Sequence, residues 1–214
     1  MLPILVCLVA VAGLLVAERA DSAAGRAITK LAAASAFVWA GLAWGALSTP
    51  YGQSLLAGLV LCWLGDALLL PAGQSIWFRL GIAAFLLGHV AYAVAFVQLG
   101  VDLPALVGFG LAMAMAAAVA LRWLRPHVPQ AFRSAVVAYV AVISGMVVVA
   151  LSAVAAGAPL AIGLGALGFA SSDLSVARDR FVSPGFVNGA WGLPAYFVSQ
   201  LVLAYSIRLV GLAG

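Results

Sequence analysis

Charge is almost missing from this chain. Charged residues make up 7% of it, against roughly 25% in ordinary soluble domains. Acids are scarcest, with 6 Asp and Glu in 214 residues. Apolar residues reach 66% and mean hydropathy is +1.22, more than one soluble core can hide. The sequence therefore reads as a single-domain integral membrane protein. The two cysteines, Cys7 and Cys62, both lie in apolar runs, which excludes a disulfide framework and a cysteine metal motif. Zinc-ligand spacing, a Gly-x-Ser-x-Gly elbow and a phosphate-binding loop are all missing, so no metal, nucleotide or other cofactor is expected. A net charge of +4, thinly scattered, gives no footprint for nucleic acid. Period-2 alternation is missing too, which excludes a closed barrel. The apolar start, MLPILVCLVAVAGLLVA, lacks a basic leader and reads as a first helix rather than a signal peptide.

What the chain has is length enough for eight crossings at about 20 apolar residues each. Spans are expected near 1–17, 31–48, 54–70, 77–98, 103–122, 134–155, 159–177 and 189–210. Breaks are marked by Thr49-Pro50-Tyr51-Gly52, Pro71-Ala72-Gly73, Gly157-Ala158-Pro159 and Ser183-Pro184-Gly185. Basic residues fall in alternate connections: Arg19, Arg26 and Lys30, then Arg79, then Arg122, Arg125 and Arg133, then Arg178 and Arg180. The positive-inside rule makes those connections cytoplasmic and both termini non-cytoplasmic. Arg208, near the end of the last span, is the one dissenter and can snorkel to the outer interface. The expected fold is all-α: an eight-helix transmembrane bundle, multi-pass in the cell membrane, in a bacterium the inner one.

Two of the acids lie inside apolar stretches, Asp66 in GLVLCWLGDALLL and Asp173 in GALGFASSDLSVA. An acid at a helix centre costs of order 2.5–3.5 kcal/mol on insertion scales, so it marks a site by default. The two are 107 residues apart, half the chain, and at the same offset His89 matches Tyr196. That points to a 4+4 parallel repeat with both carboxyls at one inner-leaflet level, facing one cavity. Two like charges at close range do not both ionise readily, so one proton donor and one acceptor are expected. Each Asp alone could instead tie neighbouring helices together. His89 and Tyr92 share a helix face, as do Tyr196 and Gln200, and Asn188 stands just before the last span. These groups suit orientation of a substrate or water, or plain interhelical hydrogen bonding. His127, in a basic loop, reads as a solvated interface residue. Lys30, Arg79, Arg178 and Arg180 ring the same edge, either setting topology or holding a lipid phosphate.

Four blocks, LLAGLVLCWLGDALLL, RLGIAAFLLGHVAYAVAF, GALGFASSDLSVARDRF and YFVSQLVLAYS, together resemble the YhhN-type lysoplasmalogenase family of transmembrane proteins over residues 26–208. Lys30, in AITKLAAA, resembles the family's lysine at the second span, although Leu31 stands where the family usually has proline. The resemblance implies hydrolysis of the vinyl-ether bond of a lysoplasmalogen in the bilayer, yielding a fatty aldehyde and glycerophosphoethanolamine or glycerophosphocholine. It carries motif positions onto Asp66, His89, Tyr92, Ser172, Asp173, Asn188, Tyr196 and Gln200. The chemistry suits the residues independently, since vinyl-ether hydrolysis needs a carboxylic acid and a carboxylate. An intramembrane aspartyl protease also uses two membrane aspartates, and a proton-coupled transporter also places acids and a His in its spans. A purely structural membrane protein would tolerate loss of both acids.

Overall fold

The computed structural model describes residues 1–71 and 76–213. Eight α-helices account for most of them: α1 (Leu2–Arg19), α2 (Ala23–Ala43), α3 (Pro50–Leu68), α4 (Ile76–Val97), α5 (Leu103–Leu124), α6 (Arg133–Ala155), α7 (Leu160–Ala177) and α8 (Phe186–Ala213). No strand occurs among the described residues. Short 3-10 turns precede α3 and α6, and a wide π turn, Arg178–Val182, extends α7. Seven of the helices are long and apolar enough to cross a membrane. The exception, α2, has the length at 21 residues but carries Arg26 and Lys30 in its first half.

Polar residues set the helix starts. Ser22 caps α2 by accepting from the Gly25 N–H, Thr49 caps α3 through Gly52, and Asp102 caps α5 through Ala105. Proline fits the first turn of α3 because its missing N–H would have no partner there. Thr49-Pro50-Tyr51-Gly52, read in the sequence as a break, is thus the opening of α3 itself. By the same logic α2 starts eight residues before the expected 31, which puts Lys30 inside the helix. Of the expected break at Pro71-Ala72-Gly73, Ala72 and Gly73 lie outside the described residues.

Consecutive helices pack as hairpins: α1 on α2, α3 on α4, α5 on α6 and α7 on α8. Small residues set the closest approaches, as expected where lipid supplies no hydrophobic push between helices. A Cβ on Gly65 would stand 2.7 Å from the Phe85 ring, and one on Gly165 2.6 Å from Leu203. Gly58 receives the Tyr92 ring in the same way. The first four helices meet the last four through α4 on α6 and α2 on α8, with α3 also touching α8. The main core of buried side chains runs through this junction, from Phe37 and Leu59 to Phe169 and Phe197. A smaller cluster, Phe78, Leu124, Val128 and Phe132, closes the bundle at the end that carries Arg79, Arg133 and Arg180. α5 stands at the periphery, with Leu124 its one buried residue.

Candidate active site

Asp66 lies two residues before the end of α3 and is 2% exposed. Its Oδ1 is 3.2 Å from the ammonium of Lys30 on α2, and its Oδ2 accepts from the Tyr196 hydroxyl on α8 at 2.8 Å. Lys30 is the chain's single lysine. Its long stem carries the charge inward to Asp66 rather than outward to a headgroup.

Asp173, on α7, has a different pair of partners. Its Oδ2 accepts from the Tyr139 hydroxyl of α6 at 2.9 Å and stands 3.6 Å from His89 Nε2 of α4. Its side chain is 17% exposed, and Oδ1 has no protein hydrogen bond among the described residues. No Lys or Arg side chain pairs with it there. His89 Nδ1 is 2.7 Å from the Phe85 carbonyl. A carbonyl only accepts, so Nδ1 carries the hydrogen, and in the neutral ring Nε2 is a bare acceptor.

The partners follow the half-chain offset. Each carboxyl takes one group from its own half, Lys30 for Asp66 and Tyr139 for Asp173. Each takes a second from the other half, Tyr196 for Asp66 and His89 for Asp173. Among the described residues the carboxyls share no partner. A run of rings joins their surroundings, with Phe169 centred 5.2 Å from Tyr196 and 4.5 Å from His89. Phe85 lies edge-on to both Phe169 and Tyr196. Each acid is held by its own partners in an aromatic wall, Asp66 with an ammonium beside it and Asp173 without one.

The other expected residues divide. Tyr92 donates to Gln200 Oε1 at 2.6 Å across the junction of the halves. Gln200 Nε2 and His89 Nε2 are buried polar atoms without a hydrogen-bond partner among the described residues. Ser172 turns its hydroxyl back to the Phe169 carbonyl. Asn188 ties down the turn after α7: its amide donates to Asp179 Oδ1 and to the Ser183 carbonyl, and its oxygen accepts from Arg178. The cationic ring at this edge is likewise engaged. Lys30 is on Asp66 and Arg178 on Asn188, while Arg79 and Arg180 lie over the rings of Phe132 and Phe78. His127 is exposed. Tyr139 is the residue sequence reasoning missed. One signal for it existed: Lys30 precedes Asp66 by 36 residues and Tyr139 precedes Asp173 by 34.

These features define a class, a multi-pass helical membrane protein with two individually partnered carboxyls, Asp66 buried and Asp173 partly buried, at the junction of its halves. The profile of the YhhN family matches residues 23–207, and the chain belongs to that family. Its curated relatives include lysoplasmalogenase TMEM86A of Bos taurus, 32% identical over 166 residues covering 75% of this chain and 67% of the relative. The protein of that name from Homo sapiens is 34% identical with the same coverage. No solved structure matches the chain.

Proposed function

We propose that this protein is a lysoplasmalogenase, hydrolysing the vinyl ether of a lysoplasmalogen to a fatty aldehyde and a glycerophospho-alcohol. The two lysoplasmalogenase relatives support the reaction. The observation that carries the mechanism is the unequal company of the two acids. Asp66 faces an ammonium, while Asp173 faces only a phenol and an imidazole, with Oδ1 unengaged. A buried carboxylate persists where a cation balances it. Asp66 is therefore the standing carboxylate and Asp173 the acid.

In this mechanism Asp173 Oδ1 gives its proton to the β-carbon of the vinyl ether, leaving an oxocarbenium ion. Asp66, held by Lys30 and Tyr196, supplies the opposing negative charge. A water positioned by His89 Nε2 adds to the cationic carbon and returns a proton to Asp173. The separation of 3.6 Å between Nε2 and Oδ2 suits groups that share a water rather than bond directly. The resulting hemiacetal collapses to aldehyde and alcohol as its hydroxyl proton passes to the departing oxygen. Each half of a 4+4 repeat contributes one carboxyl and one group for its counterpart.

The same reading makes all eight helices crossings of one domain in a cell membrane. α2 qualifies once Asp66 neutralises its lysine, and the Arg-bearing connections face the cytoplasm. The test uses purified protein in liposomes with lysoplasmenyl-ethanolamine, and ester and saturated-ether lysolipids as controls. Free aldehyde should form from the vinyl ether alone and fall by about 100-fold or more in both Asp66→Asn and Asp173→Asn. Wild-type activity in either variant overturns the two-acid mechanism. Folded wild-type protein that forms no aldehyde overturns the activity.

A further inference from the structure

A lysolipid whose vinyl ether is cleaved brings one hydrocarbon chain, which begins at the scissile bond. The groove where α4 meets α6 suits it. This open groove has a volume of about 490 Å³, inside the range of about 300–1,000 Å³ typical of small-molecule sites. Val90, Val94 and Val97 of α4 form one wall, and Val142, Gly145 and Val149 of α6 form the other. Gln98 is the polar group of the lining, at the far end, and its amide is already given to Ser54. Such a lining offers nothing to a headgroup.

The groove begins next to the candidate site along both helices. Val90 follows His89, and Val142 stands one turn from Tyr139, the two residues that hold Asp173. From Val90 to Val97 it follows α4 for about 10 Å, at 1.5 Å per residue. It leads away from the end of the bundle marked by Arg79, in the first turn of α4, and Arg133, which opens α6. A lysolipid with its phosphate toward that basic end and its vinyl ether at Asp173 extends its chain in the groove's direction. Gly145 keeps the wall low: a Cβ built there meets no atom within 4 Å, while Met146 beside it is fully buried.

We infer that the α4–α6 groove is the binding site for the substrate's single hydrocarbon chain, open sideways to the bilayer. This rests on the hydrolase reading above. Gly145→Phe should fill the groove without straining the fold, and Val94→Trp should do the same from the opposite wall. Gly108→Phe, at an equally open position on α5, is the control. With a hexadecenyl lysoplasmalogen, both groove variants should raise KM by about tenfold or more while kcat holds. A hexenyl analogue, too short to run the groove, should show KM within about twofold of wild type. Gly108→Phe should leave both unchanged.

A second measurement does not need turnover. A saturated-ether lysophospholipid with a photoreactive diazirine at the chain end should label segments 90–98 and 142–149, and Gly145→Phe should abolish that labelling. Labelling with no aldehyde formed by the wild type keeps the chain site and overturns the hydrolase reading. Aldehyde formation with no groove labelling overturns the chain site. Equal losses on both chain lengths, or a groove variant that alters the oligomeric state instead of KM, also overturn it.

Discussion

Replacing Lys30 by Met leaves the Asp66 carboxylate buried without its counter-charge. Removing one member of a buried pair costs about 3–5 kcal/mol, much of it the stranded charge. Lys30→Met should therefore be strongly destabilised in a detergent melt, and Lys30→Met/Asp66→Asn should recover most of the loss. Additive damage would show that the pair is not coupled. Tyr139→Phe tests the other acid more gently. It deletes one hydrogen bond worth about 1 kcal/mol, so the melting temperature should hardly move. The rate should fall about tenfold if Tyr139 keeps the Asp173 carboxyl in place, an interaction felt equally in kcat and kcat/KM. Both acids were legible in the sequence, because an Asp inside an apolar run has few bland explanations. Tyr139 was not, because a tyrosine among Val and Ala carries no such surprise. The use of Lys30 was hidden for a related reason: its position announces a headgroup contact, and only packing shows that its stem turns inward.

Helix packing offers a sharper test through glycine. Gly65 lies under the Phe85 ring, and Phe85 in turn lies against Phe169 and Tyr196 while its carbonyl fixes the His89 ring. Gly65→Ala pushes directly on that stack, so it should cost about 1–3 kcal/mol and lower activity as well. Gly108→Ala, on the outer face of α5, meets no atom within 4 Å and should leave both stability and activity within error. Equal sensitivity at the two positions would mean that α3 and α4 do not pack as described. The helices themselves were readable from apolar length, and their ends less so. Thr49-Pro50 has the composition of a turn, yet the same residues form a cap and first turn, and composition does not separate the two. Charge also hid the start of α2, where Arg26 and Lys30 interrupt an apolar pattern that the backbone nevertheless continues. Asn188, read as a substrate contact because of where it falls in a motif, has its amide committed to the turn after α7. Asn188→Ala should accordingly lower stability more than it lowers kcat.

The site belongs to neither half of the molecule alone. Asp66 takes Lys30 from its own half and Tyr196 from the other, and Asp173 takes Tyr139 and His89 in the same pattern. The offset of 107 residues was visible between the acids, but sequence could not show that their partners cross over, because that depends on α4 meeting α6 and α3 meeting α8. The connection after α4 is a natural place to divide the chain. Gly100 has a positive φ of 89° and an open surrounding, and Asp102 is already held by its own half through Ser152. Transmembrane helices insert individually before they associate, so two four-helix pieces, 1–100 and 101–214, should each enter the membrane. Neither should make aldehyde alone, since each carries one acid and lacks that acid's cross-half partner. Co-expressed, they should restore measurable activity. Restoration should fail when one piece carries Asp66→Asn or the other Asp173→Asn. Activity from a single piece would show that one carboxyl suffices and that the crossed partners serve packing alone.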